Sequence, residues 1–163
     1  MTIGNRVVVA NPSRGVRLEA TVSGTPKPGT HMQLKAATEP VSGAYTWEVF
    51  NRAGDAIPYV VALLDFDFLQ GKLATDAYVT ATRGFVYFPL PGEICNVLVA
   101  DVAGTGATSD YAIGDEMQIQ DDTGLIEDAT VGTAFARSRP WLIAETISDM
   151  SGDTLVGCLF TGY

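Results

Sequence analysis

The chain has 163 residues, 47% of them hydrophobic and 18% charged, with a formal net charge of −9. That is too apolar and too weakly charged for a disordered chain, and the length suits one compact domain, or one β-domain with an ordered arm. Its apolar runs, such as Pro58 to Leu64 and Ile94 to Ala100, fall far short of the roughly 20 residues a membrane-spanning helix needs, and so acidic a body repels phosphate backbones, which argues against both a bilayer span and nucleic-acid binding.

Met1 to Ala10 carries one charge and only a short apolar run, so it does not read as a signal peptide. Synthesis in the cytoplasm is the expectation. Charge is unevenly placed. Residues 1–35 hold Arg6, Arg14, Arg17, Lys27 and Lys35 against Glu19 alone, a balance of +4, and the rest of the chain carries −13. Residues 1–26 are therefore read as an extended N-terminal arm. Arg6, Arg14, Arg17 and Lys27 are its candidate contacts with an acidic partner surface, weighed against simple solvation of exposed cations.

Strand patterns then follow one another. Val7–Ala10, Val16–Val22, Met32–Ala36, Tyr45–Phe50, Tyr59–Phe68, Phe85–Phe88, Ile94–Ala100, Met117–Gln120, Trp141–Ile147 and Thr154–Thr161 are rich in β-branched and aromatic residues. In the second of these, Arg17, Glu19 and Thr21 alternate with Val16, Leu18, Ala20 and Val22, the period of a half-buried strand. Turn signals separate the runs: Ser23-Gly24, Pro26 to Gly29, Ser42-Gly43, Pro89 to Gly92, Gly104 to Gly106, Asp121 to Gly124 and Ser151 to Asp153. A short helix over Asp65–Leu73 competes with a strand there. The expectation is an all-β protein, a barrel or sandwich over residues 27–163.

Two short motifs recur in the same order. Gly29-Thr30-His31-Met32-Gln33-Leu34 and Gly114-Asp115-Glu116-Met117-Gln118-Ile119 share the form Gly-x-x-Met-Gln-aliphatic. Pro58-Tyr59-Val60-Val61-Ala62 and Pro140-Trp141-Leu142-Ile143-Ala144 share Pro-aromatic-aliphatic-aliphatic-Ala. Together they predict two related β-units, roughly 27–103 and 110–163.

No constellation of residues points to catalysis, and no enzyme is expected. His31 is the single histidine, so a Ser-His-Asp arrangement has no alternative base. A surface or hydrogen-bonded core histidine is the commoner use of such a residue. Asp65 and Asp67 would share one face of a strand, and paired carboxylates can cleave glycosides or bind a cation, but a polar strand edge explains them. Asp121-Asp122-Thr123-Gly124 lacks the spacing of a calcium loop and reads as a hairpin turn. Gly104 to Ser109 lacks the lysine and third glycine of phosphate loops. Cys95 and Cys158 sit in apolar runs as small buried hydrophobes, and with one histidine they make no zinc set. No metal or cofactor is expected.

Three stretches bear a resemblance to a known family. They are Lys27-Pro28-Gly29-Thr30 with the Met32 strand; Tyr59 to Tyr78 with Leu69-Gln70-Gly71-Lys72 and Asp76-Ala77-Tyr78; and the tail. The tail runs from Ile113-Gly114-Asp115-Glu116 through Asp121-Asp122-Thr123-Gly124-Leu125 and Leu142-Ile143-Ala144-Glu145 to Asp153-Thr154-Leu155-Val156. This pattern resembles the head decoration, or cement, proteins of tailed bacteriophages from about residue 27 onward. The resemblance implies a β-barrel structural protein on the outer capsid surface, commonly a homotrimer, which binds the major capsid protein and stabilises the shell. It implies no catalytic residue. Two other readings compete: a surface-displayed carbohydrate-binding β-domain, suggested by the loop aromatics and aspartates, and another virion component such as a tail or head-fibre protein. A small barrel enzyme built on Asp65 and Asp67 or His31 ranks last.

Overall fold

A sheet that closes on itself buries one face of every strand, and here the chain closes two. The computed structural model describes residues 8–10, 15–35, 44–51, 61–65, 75–101, 109–120, 123–129, 140–150 and 152–162, and every regular element among them is a strand. In chain order these are β1 (Val8–Ala10), β2 (Val16–Val22), β3 (His31–Leu34), β4 (Tyr45–Val49), β5 (Val61–Asp65), β6 (Thr82–Phe88) and β7 (Ile94–Val99). Then come β8 (Ser109–Tyr111), β9 (Glu116–Ile119), β10 (Ile126–Asp128), β11 (Trp141–Ile143), β12 (Ile147–Met150) and β13 (Thr154–Phe160).

The first barrel closes in the order β2-β4-β3-β5-β6. Its β2–β4 pair is parallel and its other pairs are antiparallel. The second follows the order β7-β10-β9-β11-β13 and closes through β13 and β7. Again the first pair, β7–β10, is parallel and the rest antiparallel. Beyond this ring, β1 adds to β7, and β8 pairs with β12 as a separate ribbon.

Register makes the two barrels equivalent residue by residue. Val22 faces Trp47 as Val99 faces Ile126. Met32 lies between Val49 and Ala62 as Met117 lies between Asp128 and Trp141. Leu64 pairs with Val86 as Ile143 pairs with Cys158. The cores follow from this. Ala20, Val22, Met32, Trp47, Ala62, Leu64 and Val86 fill the first barrel, while Val97, Val99, Met117, Ile126, Trp141, Ile143 and Cys158 fill the second. Each large side chain buried this completely stabilises the fold by about 1.5–3 kcal/mol before entropy is counted.

The shared Gly-x-x-Met-Gln motif has a physical basis in this frame. Gly29 and Gly114 take φ of 84° and 95°, the left-handed third position of a tight turn, which glycine adopts without steric cost. Each then pairs with the end of a neighbouring strand. Gly29 N donates to Leu64 O at 2.9 Å and Leu64 N to Thr30 O at 2.8 Å; Gly114 N donates to Ile143 O at 2.9 Å and Ile143 N to Asp115 O at 3.0 Å. Three residues later the methionine points inward. One end of each barrel is plugged, the first by fully buried Tyr78, whose hydroxyl donates to Asp65 O at 3.0 Å. In the second, Tyr111 and Met150 join the core from the β8–β12 ribbon, with Ile147 packed against it.

Several expectations need correction. Residues 16–22 are not part of an arm that runs to residue 26: β2 is a barrel strand, paired with β6 along its whole length. Its burial does not alternate: Ala20, Thr21 and Val22 are all buried, while Val16 and Leu18 remain exposed at the barrel's mouth. The units divide between β6 and β7, so Ile94–Val99 opens the second barrel; the recurring motifs begin only at the second strand of each unit. Of the first Pro-aromatic motif only Val61 and Ala62 lie among the described residues; they sit on β5, the equivalent of β11, three residues out of register with the second motif, since Trp141, not Ala144, stands where Ala62 stands. The single strand expected over 141–147 is two, β11 and β12. Of the expected helix only Asp65 lies among the described residues, and it ends β5; Asp67, Asp121, Asp122 and residues 104–108 lie outside them.

Candidate functional site: the junction and the exposed mouth

On the outer face of the first barrel, β3, β5, β6 and β2 set four residues in one cross-strand row: His31, Leu63, Tyr87 and Arg17. Leu63 and Tyr87 belong to the core cluster of the second barrel, not to that of their own. The row is a floor on which the second barrel stands.

His31 holds the polar centre of this junction and is fully buried. The Trp141 indole donates Nε1–H to His31 Nε2 at 2.8 Å, and His31 Nδ1 lies 3.0 Å from the Gly124 carbonyl. An indole nitrogen can only donate, so Nε2 is bare and the proton resides on Nδ1, which donates to Gly124 O. That carbonyl also accepts His31 N at 2.7 Å. Burial drives the imidazole pKa down to about 4, against the opposing pull of the Gly124 carbonyl. His31 is therefore a neutral structural bridge, with both ring nitrogens occupied.

A second buried polar group ties the same seam. Glu93 Oε2 accepts the Tyr87 hydroxyl at 2.6 Å and Leu90 N at 2.9 Å, and Oε1 accepts Gly15 N at 3.2 Å. Gly124 and Gly29 sit at close approaches between the barrels. A Cβ on Gly124 would run into the His31 carbonyl, and one on Gly29 would meet Leu155 and the Leu98 backbone. Leu98 N donates to Gly29 O at 3.0 Å across the seam.

The other reactive side chains are also structural. Cys95 and Cys158 are free, buried and directly opposite on β7 and β13. Burial, with Glu93 and Asp65 adding to it, pushes the Cys95 thiol up to about 12; burial also raises Cys158 far above the ordinary thiol range. Neither presents a thiolate. Among the described residues no three His, Cys, Asp or Glu side chains gather as metal ligands. No helix among them is long and apolar enough to cross a membrane.

The sequence-selected cations separate. Arg17 closes the outer row with its Nε 2.6 Å from the Asp65 carboxylate and its guanidinium 3.9 Å from the centre of the Phe85 ring. Beside it Arg83 pairs with Glu19 at 3.0 Å. Lys27 is exposed in the turn before β3. Arg6 and Arg14 lie outside the described residues. What sequence reasoning missed is the mouth of the first barrel, where Val16, Leu18, Leu34 and Tyr45 are exposed by 56%, 46%, 38% and 55%. The signal for it was present: the inward parity of β2, β3 and β4 continues beyond the filled core.

No protein-family model matches the chain, and no curated protein matches it. Among solved structures, the chain is similar to the N base of the head fiber protein gp8.5 of bacteriophage phi29, with 13% sequence identity and a TM-score of 0.49. That match covers 90% of this chain and 94% of the other.

Proposed function

We propose that this protein is a non-enzymatic virion component of a tailed bacteriophage that binds the outer surface of the capsid and stabilises the shell. The observation that carries this reading is the placement of the decoration-protein pattern in the fold. Gly114 and the strand it opens, the Leu142-Ile143 pair and the last strand lie on or next to β9, β11 and β13 of one closed barrel. The tail stretch of the resemblance therefore falls within one barrel, which supports the reading.

The junction supports the same reading. Two barrels joined by backbone hydrogen bonds, a bridging histidine and a buried carboxylate make a stiff body, as a clamp on a pressurised lattice requires. Of the side chains a barrel enzyme would draw on, His31 is committed to packing and Asp65 is engaged by Arg17, while Asp67 lies outside the described residues. The basic N-terminal segment supplies charge to meet an acidic capsid surface, through Arg6, Arg14 and Lys27 more than through Arg17, which Asp65 already engages. An extended segment there can add a strand to a neighbouring sheet edge through main-chain hydrogen bonds.

The test is co-sedimentation with undecorated phage capsids. Full-length protein is compared with a truncation of residues 1–14, which spares β2. Saturable binding that weakens on truncation supports the proposal. No binding by either form, together with specific retention on a glycan array, would replace it with the carbohydrate-binding reading.

A further inference from the structure

The internal duplication leaves two surfaces whose counterparts already touch each other. Within the chain, the mouth of the second barrel stands on the outer row His31–Leu63–Tyr87 of the first. The equivalent row on the second barrel is Glu116–Leu142–Leu159, running on to Ile94 as the first runs on to Arg17. Leu142, Leu159 and Ile94 are half-buried there and Glu116 is exposed. The mouth of the first barrel is the equivalent of the one already seated. Tyr45 occupies the place of Gly124, Leu18 that of Cys95 and Leu34 that of Ile119; Cys95 and Gly124 are buried at the junction, whereas Leu18, Leu34 and Tyr45 are exposed.

We propose that these two surfaces bind each other between copies of this chain, head to tail, the first barrel's mouth seating on the Leu142–Leu159–Ile94 row of a neighbour's second barrel. The occupant is a second copy because the chain itself displays the geometry: a mouth of this register resting on a row of this register. The substitutions between the repeats fit an intermolecular rather than a covalent version. Gly124, which permits direct backbone contact, is replaced by Tyr45, so the barrels stand further apart. His31, which takes the Trp141 donor, is replaced by Glu116, exposed on the same row, so the bridging histidine has no counterpart there. The contact joins two different patches, so it is heterologous and closes into a ring where the rotation allows, or runs on as a chain. The inference does not rest on capsid binding.

The experiment is sedimentation velocity of the full chain across a concentration series, with one variant for each face. Leu18→Asp spoils the mouth and Leu159→Asp spoils the row; near-UV circular dichroism checks that each folds. If Leu159→Asp does not fold, Glu116→Arg, at an exposed position of the same row, takes its place. The wild type is expected to self-associate with rising concentration, and each variant to weaken this at least tenfold. Mixing the two variants should restore one contact and yield a one-to-one dimer, because each retains the face the other has lost. A wild type that stays monomeric throughout overturns the proposal. So does undiminished association of either variant, or a mixture that fails to pair. Capsid binding that survives in both variants would show that the two readings stand or fall separately.

Discussion

The two barrels share strand order, register and turns, yet they distribute bulk differently, and that difference decides what each barrel can do at its mouth. In the first, Trp47 lies on β4 and faces Ala62's neighbour β3; in the second, Ile126 takes the Trp47 position and Trp141 the Ala62 position. The indole has moved to another strand of the same core. Each Trp still meets the phenylalanine that ends the last strand, Trp47 with Phe88 at 5.6 Å and Trp141 with Phe160 at 4.9 Å between ring centres. Only Trp141, however, points its N–H at another barrel. Interiors tolerate such exchanges when total volume and patterning are kept, so a duplicated core can acquire a bridging group without losing its packing.

Removing each indole tests this asymmetry, with the largest expected effect. Trp141→Ala should lower unfolding stability by about 4–5 kcal/mol, the upper end for Trp truncation, because it also leaves a buried imidazole nitrogen without its donor. Trp47→Ala should cost roughly 3 kcal/mol, the lower end, since it opens a cavity near an exposed mouth. Denaturant melts compared on one day decide it. Equal losses would mean that the His31 bond adds nothing beyond packing.

The junction should also make stability depend on pH through His31. Its folded pKa lies below its unfolded value of 6.5, at about 4, so the unfolded chain takes up the proton first as pH falls. The histidine's contribution is fully present above pH 6.5, is lost progressively down to about pH 4, and changes little below that. A shift of this size corresponds to about 3 kcal/mol. Chemical denaturation at fixed ionic strength from pH 7 to 4 should show the fall, and His31→Gln should flatten it. An unchanged slope in the variant would assign the dependence to carboxylates instead.

How much of this was legible beforehand follows from where the information sits. Long strands such as β2, β6, β7 and β13 carry enough alternation or β-branched density to announce themselves, and the glycine turns before β3 and β9 are local chemistry. Three short strands, β8, β10 and β12, were missed for a physical reason. β8 and β12 form only against each other across the barrel end, and β10 is three residues held between β9 and β7. The second recurring motif misled because composition repeated where register did not. The junction was beyond reach: the bond from Trp141 to His31 joins residues 110 apart in the chain, and nothing local to either marks the other as its partner.

Two glycines of the second barrel, one at the seam and one away from it, give a finer test of the junction. Gly124 has φ of 66° and no room for a Cβ, whereas Gly114 has φ of 95° with open space around it. Gly114→Ala should therefore cost only backbone strain, about 1 kcal/mol. Gly124→Ala adds a clash with the His31 carbonyl and should cost about 2–3 kcal/mol, as overpacking typically does. If the two were equal, the barrels would have to separate slightly at the seam without penalty, and the His31 pH dependence should shrink in the same variant.

The smallest expected effect lies at the end of the outer rows, where Arg17 in the first barrel corresponds to Ile94 in the second. Arg17 is an attractive pairing by geometry alone, with a 2.6 Å contact to Asp65 and an aromatic ring beneath it. Yet the arginine side chain is 45% exposed and its partner 16%, so water screens most of the attraction and holding the long side chain costs entropy. A double-mutant cycle of Arg17→Ala and Asp65→Ala should return a coupling of about 0.5–1 kcal/mol that declines with added salt. A salt-insensitive coupling above about 2 kcal/mol would place the pair with buried, desolvated ion pairs. Arg17 would then be a fixed part of the first barrel's wall, and the charge available to an acidic partner would rest on Arg6, Arg14 and Lys27.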